Sequence, residues 1–230
     1  MAKVLSKEEW RRRRRLYAYI KLALAAVLAI LILLVVVLGL LKIVRNLFSR
    51  EQTPTTSTLT MKQELNITEY FLTKNIYSRP GNELKSVKGI VIHYVADAGS
   101  TAAENRNYYE SLKGGEGGAE SCHFIVDLDG TIVQCIPLSE VACASGERNE
   151  DTIAIAFCHP KIDGIPTAAT YQSLIELTAY LCEQYGLGKD AVLRHSDLGE
   201  QSCPKYYAEQ EGKWAAFLAE VDTMLAQKKK

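Results

Sequence analysis

"GIVIHYVA", residues 89–96, decides the fold. It is short, apolar and β-branched, and it has no polar alternation, so it reads as a strand buried on both faces. Similar runs recur at "TIAIAFCH", 152–159, and "AVLR", 191–194. "HFIVDLDGTIVQCI", 123–136, reads as two strands around Asp129-Gly130, a hairpin turn signal. Between the strands lie helical patterns. "STAAENRNYYESL", 100–112, has Ser100 or Thr101 as N-cap. "ATYQSLIELTAYLCEQYG", 169–186, places Leu174, Leu177, Leu181 and Tyr185 at helical spacing and ends on Gly186. "EGKWAAFLAEVDTML", 211–225, is amphipathic through Trp214, Phe217, Leu218 and Val221. "GGEGG", 114–118, is a loop. Strands mixed with helices predict an α/β domain over residues 66–230, its central sheet covered by helices.

The chain of 230 residues has room for this domain and one further segment. A formal charge of zero hides an asymmetry: residues 1–50 hold 11 Lys/Arg and 2 Asp/Glu, and the other 180 hold 16 and 25. "LALAAVLAILILLVVVLGLL", 22–41, carries no charge over 20 residues. As a helix it would be about 30 Å long, the thickness of a bilayer core. A cleavable signal would be shorter and would end in small residues. The expected order is a basic cytoplasmic segment at 1–21, a transmembrane helix at 22–41, a Thr-rich linker at 42–65 and the domain at 66–230. Eight Lys/Arg precede the span and three follow it, which predicts a single-pass cell-membrane protein with its N-terminus inside and its domain outside. Beside a span, Arg11 to Arg15 suit membrane lipid headgroups and not nucleic acid. Six cysteines (122, 135, 143, 158, 182, 203) then face a compartment that permits disulfides, and no CxxC pair offers a closed structural zinc site. Asn66-Ile67-Thr68 fits a glycosylation sequon, which matters only on a eukaryotic secretory route.

Two histidines occupy similar places. His93 interrupts the apolar run at 89–96, and His195 follows Ala191-Val192-Leu193-Arg194, each near the C-terminal end of a predicted strand. Cys203 lies on the loop after His195. Two imidazoles and a thiolate suit a zinc ion that keeps a fourth position for water. Spacing alone leaves two other readings open: Cys203 as a nucleophile activated by His195, and three ordinary buried residues. Asp197 either holds a ligand imidazole or shapes the loop.

The segments "VKGIVIHYVA", "CHFIVDLDGTIVQCIPLSEVA", "RNEDTIAIAFCHP" and "VLRHSDLGEQSCPKYY", in that order, resemble the zinc-dependent N-acetylmuramoyl-L-alanine amidases. This superfamily contains the bacteriophage lysozyme-type amidases and the peptidoglycan recognition proteins. The likeness covers roughly residues 70–225. It implies a mixed central sheet flanked by helices, with zinc held by His93, His195 and Cys203. It also implies hydrolysis, by a zinc-bound water, of the amide between N-acetylmuramic acid and L-alanine in peptidoglycan or muropeptides.

The chain departs from the family pattern around that site. Ala156 stands where a Glu is expected to activate the water, and Gln201 where a Lys is expected near the oxyanion. Cys122 replaces a Tyr found in some relatives, and Cys143-Ala144 replaces a frequent Trp-His pair. His123, Glu140 and Gln201 are the candidate catalytic groups, with Glu147 and Glu200 as further carboxylates that would substitute as base. His123 matches a family histidine that is not usually a metal ligand, and structural and substrate-facing roles are both open to it. Loss of the positioned acid–base also admits a different protein, an amidase fold that binds muropeptides without cleaving them. The topology is directly testable: external protease should digest the domain of intact, wall-stripped cells and spare the N-terminus, and the reverse pattern would invert the orientation.

Overall fold

The computed structural model describes residues 65–199 and 202–228, together with Lys21, Leu24, Val27 and Leu33. Those four positions are helical and exposed. The rest of the expected span at 22–41, and Glu200 and Gln201, lie outside the described residues. Among the described residues no helix is long and apolar enough to cross a membrane. The chain divides into two compact units, Met1–Thr56 and Ser57–Lys230, and the second carries the architecture below.

Six strands form one sheet: β1 (Ile67–Glu69), β2 (Gly89–Tyr94), β3 (Phe124–Val126), β4 (Ile132–Gln134), β5 (Thr152–Phe157) and β6 (Val192–Arg194). Their spatial order is β1-β4-β3-β5-β2-β6. Only β3 and β4 pair antiparallel; the other neighbours are parallel, so the sheet is mixed. The hairpin between β3 and β4 turns at Gly130, whose φ of 88° is left-handed. A Cβ there would come within 2.8 Å of Ser173 Oγ and 3.0 Å of the Ala169 carbonyl oxygen. Glycine therefore serves both the turn and its close approach to a helix.

Among the described residues four α-helices accompany the sheet: α1 (Ala102–Ser111), α2 (Ala168–Tyr185), α3 (Lys205–Glu209) and α4 (Glu211–Lys228). Thr101 caps α1 in a reciprocal box. Its hydroxyl accepts the Glu104 N–H at 3.3 Å, and Glu104 accepts the Thr101 N–H at 2.8 Å. α2 starts on the Thr167 hydroxyl and ends on Gly186 in the left-handed region.

Strand periodicity sorts the side chains onto two faces. Ile90, Ile92, Phe124, Ile153, Ile155 and Phe157 pack with Leu174, Leu177 and Leu181 of α2 and Trp214, Phe217 and Val221 of α4. Ile125, Val133, Ala154, Ala156 and Cys158 share the other face with Ala102, Tyr109 and Leu112 from the α1 region. The first face is filled by large branched and aromatic groups. The second holds smaller ones near the strand ends, and the site opens there. β1 and α3, absent from the sequence expectation, are three and five residues long. Phe217 is fully buried against Tyr171, Tyr207 and Trp214. Phe217→Ala should therefore cost about 3–5 kcal/mol, read as a lower urea midpoint with an unchanged slope.

Candidate metal centre and cleft

β2 and β5 run in register over their full lengths, and the pairing sets His93 beside Ala156. Both residues line a cleft of about 490 Å³. β6 lies on the other side of β2, pairing through Ile90, Val91 and Ile92, so His195, the next residue after it, arrives at the same end of the sheet. The loop beyond His195 returns to the site: the Ser196 N–H donates to the Cys203 carbonyl at 2.6 Å. Asp197 shapes this turn. Its carboxylate accepts the Arg194 N–H at 2.8 Å and pairs with the Arg194 guanidinium, also at 2.8 Å. Arg194 extends the brace to the Tyr207 carbonyl and to Glu211.

One donor atom each from His93, His195 and Cys203 lies within 4.8 Å of the other two. Cys203 Sγ stands 3.9 Å from His93 Nδ1, and the two imidazole centroids are 4.3 Å apart at 54°. A tetrahedral zinc with nitrogen and sulfur ligands needs donor separations of about 3.3–3.6 Å. The three side chains thus meet the requirement after a contraction of about 1.5 Å or less. His93 Nε2 faces Ser145 Oγ at 3.3 Å. With Nε2 as the donor to that hydroxyl, Nδ1 keeps its lone pair for a metal. Ser145 is itself held, since its N–H and that of Ala144 donate to Asn149 Oδ1 at 2.6 and 2.9 Å. Burial, with the nearby His195 as a lesser cause, lowers the His93 pKa to about 3. The buried ring is consequently neutral at physiological pH, the form that binds a metal. Donor type and orientation both fit zinc.

The other sequence candidates are placed elsewhere. His123 is 1% exposed, accepts the Ala154 N–H on Nδ1 at 3.0 Å, and meets the Glu140 carbonyl through Nε2 at 3.0 Å. It ties β5 to the segment after β4 and lies outside the cleft lining. Glu140 makes a two-pronged pair with Arg79 at 2.7 and 2.9 Å, with Lys74 at 3.5 Å. The Arg79 hydrogen bonds hold its carboxyl below the usual range, and it too lies outside the lining. Glu147 belongs to the turn at Gly146–Asp151 and is exposed, again outside the lining. Buried His159 sets its two ring nitrogens against the Lys161 and Val95 carbonyls at 2.6 and 2.9 Å, and stacks on Tyr94. Cleft residues that the sequence reading left out are Tyr94, Tyr109, Glu120, Ser121, Ser145 (through its bond to His93) and Asn149. Tyr94 ends strand β2, and the others fall in loops or inside helical runs where no periodicity marks them. Only proximity to the His93 strand end was available as a signal, for Tyr94.

Comparison with known proteins agrees with this geometry. Residues 83–206 match the family model described as N-acetylmuramoyl-L-alanine amidase. A Bacillus licheniformis protein named "Probable N-acetylmuramoyl-L-alanine amidase" is 32% identical over 170 residues, 69% of this chain and 48% of its own length. The N-acetylmuramoyl-L-alanine amidase CwlL, also from Bacillus licheniformis, is 31% identical over 175 residues, 70% of this chain and 48% of its own. The chain spans about half the length of these curated relatives. Among solved structures, a mutant endolysin from Bacillus subtilis superposes with a TM-score of 0.58 at 26% identity, covering 68% of this chain and 99% of that one. The chain belongs to the N-acetylmuramoyl-L-alanine amidase family. The ligand set yields a measurable expectation: the purified protein should hold about one zinc per chain, and His93→Ala or Cys203→Ser should strongly reduce it. Undiminished zinc in both variants, by elemental analysis, would refute the assignment.

Proposed function

We propose that this chain is a membrane-anchored peptidoglycan amidase that hydrolyses the bond between N-acetylmuramic acid and L-alanine. The observation that carries the reading is the convergence of His93, His195 and Cys203 at the floor of one cleft. Family membership and the names of the matched relatives support the substrate class. When bound, zinc supplies Lewis acidity, polarising a carbonyl oxygen and lowering the pKa of a water ligand.

The chain's own residues do the remaining work. Ser145 fixes the His93 ring, and the Arg194–Asp197 pair fixes the turn that begins at His195. Ser121 and Cys143 are laced together, Ser121 N–H to the Cys143 carbonyl at 2.9 Å and Cys143 N–H to Ser121 Oγ at 3.0 Å. Both line the cleft, so the lacing holds one wall while a muropeptide is bound. Tyr94, Tyr109 and Asn149 offer aromatic faces and polar tips to a glycopeptide. The charge-free run at 22–41 and the basic residues before it support a membrane anchor with the domain facing the wall, and Arg11 to Arg15 meet lipid headgroups in that arrangement.

The test is incubation of the detergent-solubilised, zinc-loaded full chain with purified muropeptides, followed by mass spectrometry. Release of free stem peptide beginning at L-alanine is expected. Intact muropeptide that co-purifies with the protein would instead establish the non-cleaving, binding form of the fold.

A further inference from the structure

Hydrolysis of an amide needs a group that takes a proton from the attacking water and returns one to the departing nitrogen. Position 156 cannot supply it. Ala156 is 2% exposed, pairs with His93 on one side and Ile125 on the other, and offers the cleft only a methyl group. Among the described residues that line the cleft, Glu120 is the one carboxylate, and neither Lys nor Arg is among them. Apart from the three metal-ligand candidates, the other ionisable lining groups include Tyr94, Tyr109 and Cys143. Burial pushes Tyr109 and Cys143 upward, so they stay protonated at neutral pH.

Glu120 is also mounted for the task. It follows Gly117 and Gly118, both left-handed with φ of 101° and 88°, and precedes Ser121, which is laced to Cys143. The carboxylate thus sits at the fixed end of a permissive loop. Tyr108, from α1, donates its hydroxyl to Oε2 at 3.2 Å. Oε1 has no hydrogen-bond partner among the described residues. One oxygen is oriented and the other is available to a water or an amide.

Resting on the amidase reading, we propose that Glu120 is the catalytic acid–base, supplied from the loop wall where the strand position holds alanine. In the step, the water oxygen bonds to the lactyl carbonyl carbon as Glu120 takes the water proton. The carbon–nitrogen bond then breaks, Glu120 passes that proton to the alanine nitrogen, and the products are a muramic carboxylic acid and a free amine. One water is consumed, and no oxidant or reductant is involved.

The decisive experiment compares the wild-type full chain with Glu120→Gln and Glu120→Asp in the muropeptide assay, alongside zinc content and calorimetric muropeptide binding. Glu120 is exposed, so neither change threatens the fold. For Glu120→Gln we expect kcat to fall by about 10²-fold or more, with zinc content and muropeptide affinity within about twofold of wild type. Glu120→Asp, which retains a shorter carboxylate, should lie between the two. An active wild type with an equally active Glu120→Gln would overturn the assignment and leave the amidase reading standing. A loss confined to KM and binding would also overturn it, making Glu120 a recognition group for a substrate cation. A silent wild type would overturn the amidase reading and this assignment together.

Discussion

The in-register parallel pairing of β2 with β5 is the constraint on which the site depends. A one-residue slip would turn His93 to the face occupied by α2 and α4, because side chains alternate along a strand. The register resists that slip on both sides. Ile90 and Ile92 lie opposite Ile153 and Ile155 and fill the large-residue core, and β6 grips the other edge of β2 through Val192 and Arg194. The same pairing puts a methyl group beside His93, so the floor of the cleft is set by small side chains.

Holding the buried His93 imidazole within 4.3 Å of the half-buried His195 ring would be costly if the buried one had to be charged. The fold removes most of that cost for His93 by keeping it neutral, with Ser145 as its partner on Nε2. The remaining lone pairs and the Cys203 sulfur converge, which favours a cation among them. The supporting contacts come from separate loops: Asn149 holds Ser145, and Arg194 holds the His195 turn through Asp197. His93 is therefore held apart from the His195 turn, to which Cys203 is tied through the Ser196 N–H, and the sheet brings the two supports to one end.

Much of this was legible in the residues. The interior strands at 89–94 and 152–157, the hairpin at Asp129-Gly130 and the two long helices all carry strong local signals, and the structure shows each of them. β1 was missed because three residues give no period, and its identity comes from pairing with β4. α3 was missed because five residues after Pro204 are set by the packing of Tyr207 against Phe157, Trp214 and Phe217. Among site residues, His93, His195 and Cys203 stood out through strand ends and motif. Glu140 resembled a spare carboxylate only while its partner Arg79, 61 residues away, was invisible. Glu120 shows the converse: nothing local distinguishes it from other loop acids, and only the folding of its segment over the cleft brings it to the His93 side of the sheet.

A carboxylate on the loop and one on the strand are not equivalent devices. At position 156 the surroundings are almost wholly desolvated, so a glutamate there would favour its protonated form unless a bound cation offset the penalty. Its basicity would then depend on metal occupancy. Glu120 remains in contact with solvent and is oriented by the Tyr108 hydroxyl. The loop position also follows the backbone freedom of Gly117 and Gly118, which leaves the carboxylate room to adjust. That freedom carries an entropic cost when the group is fixed. The lacing of Ser121 to Cys143 limits the cost by anchoring the residue next to it. A carboxylate at position 120 thus has a solvated mount, where one at position 156 would have a desolvated one.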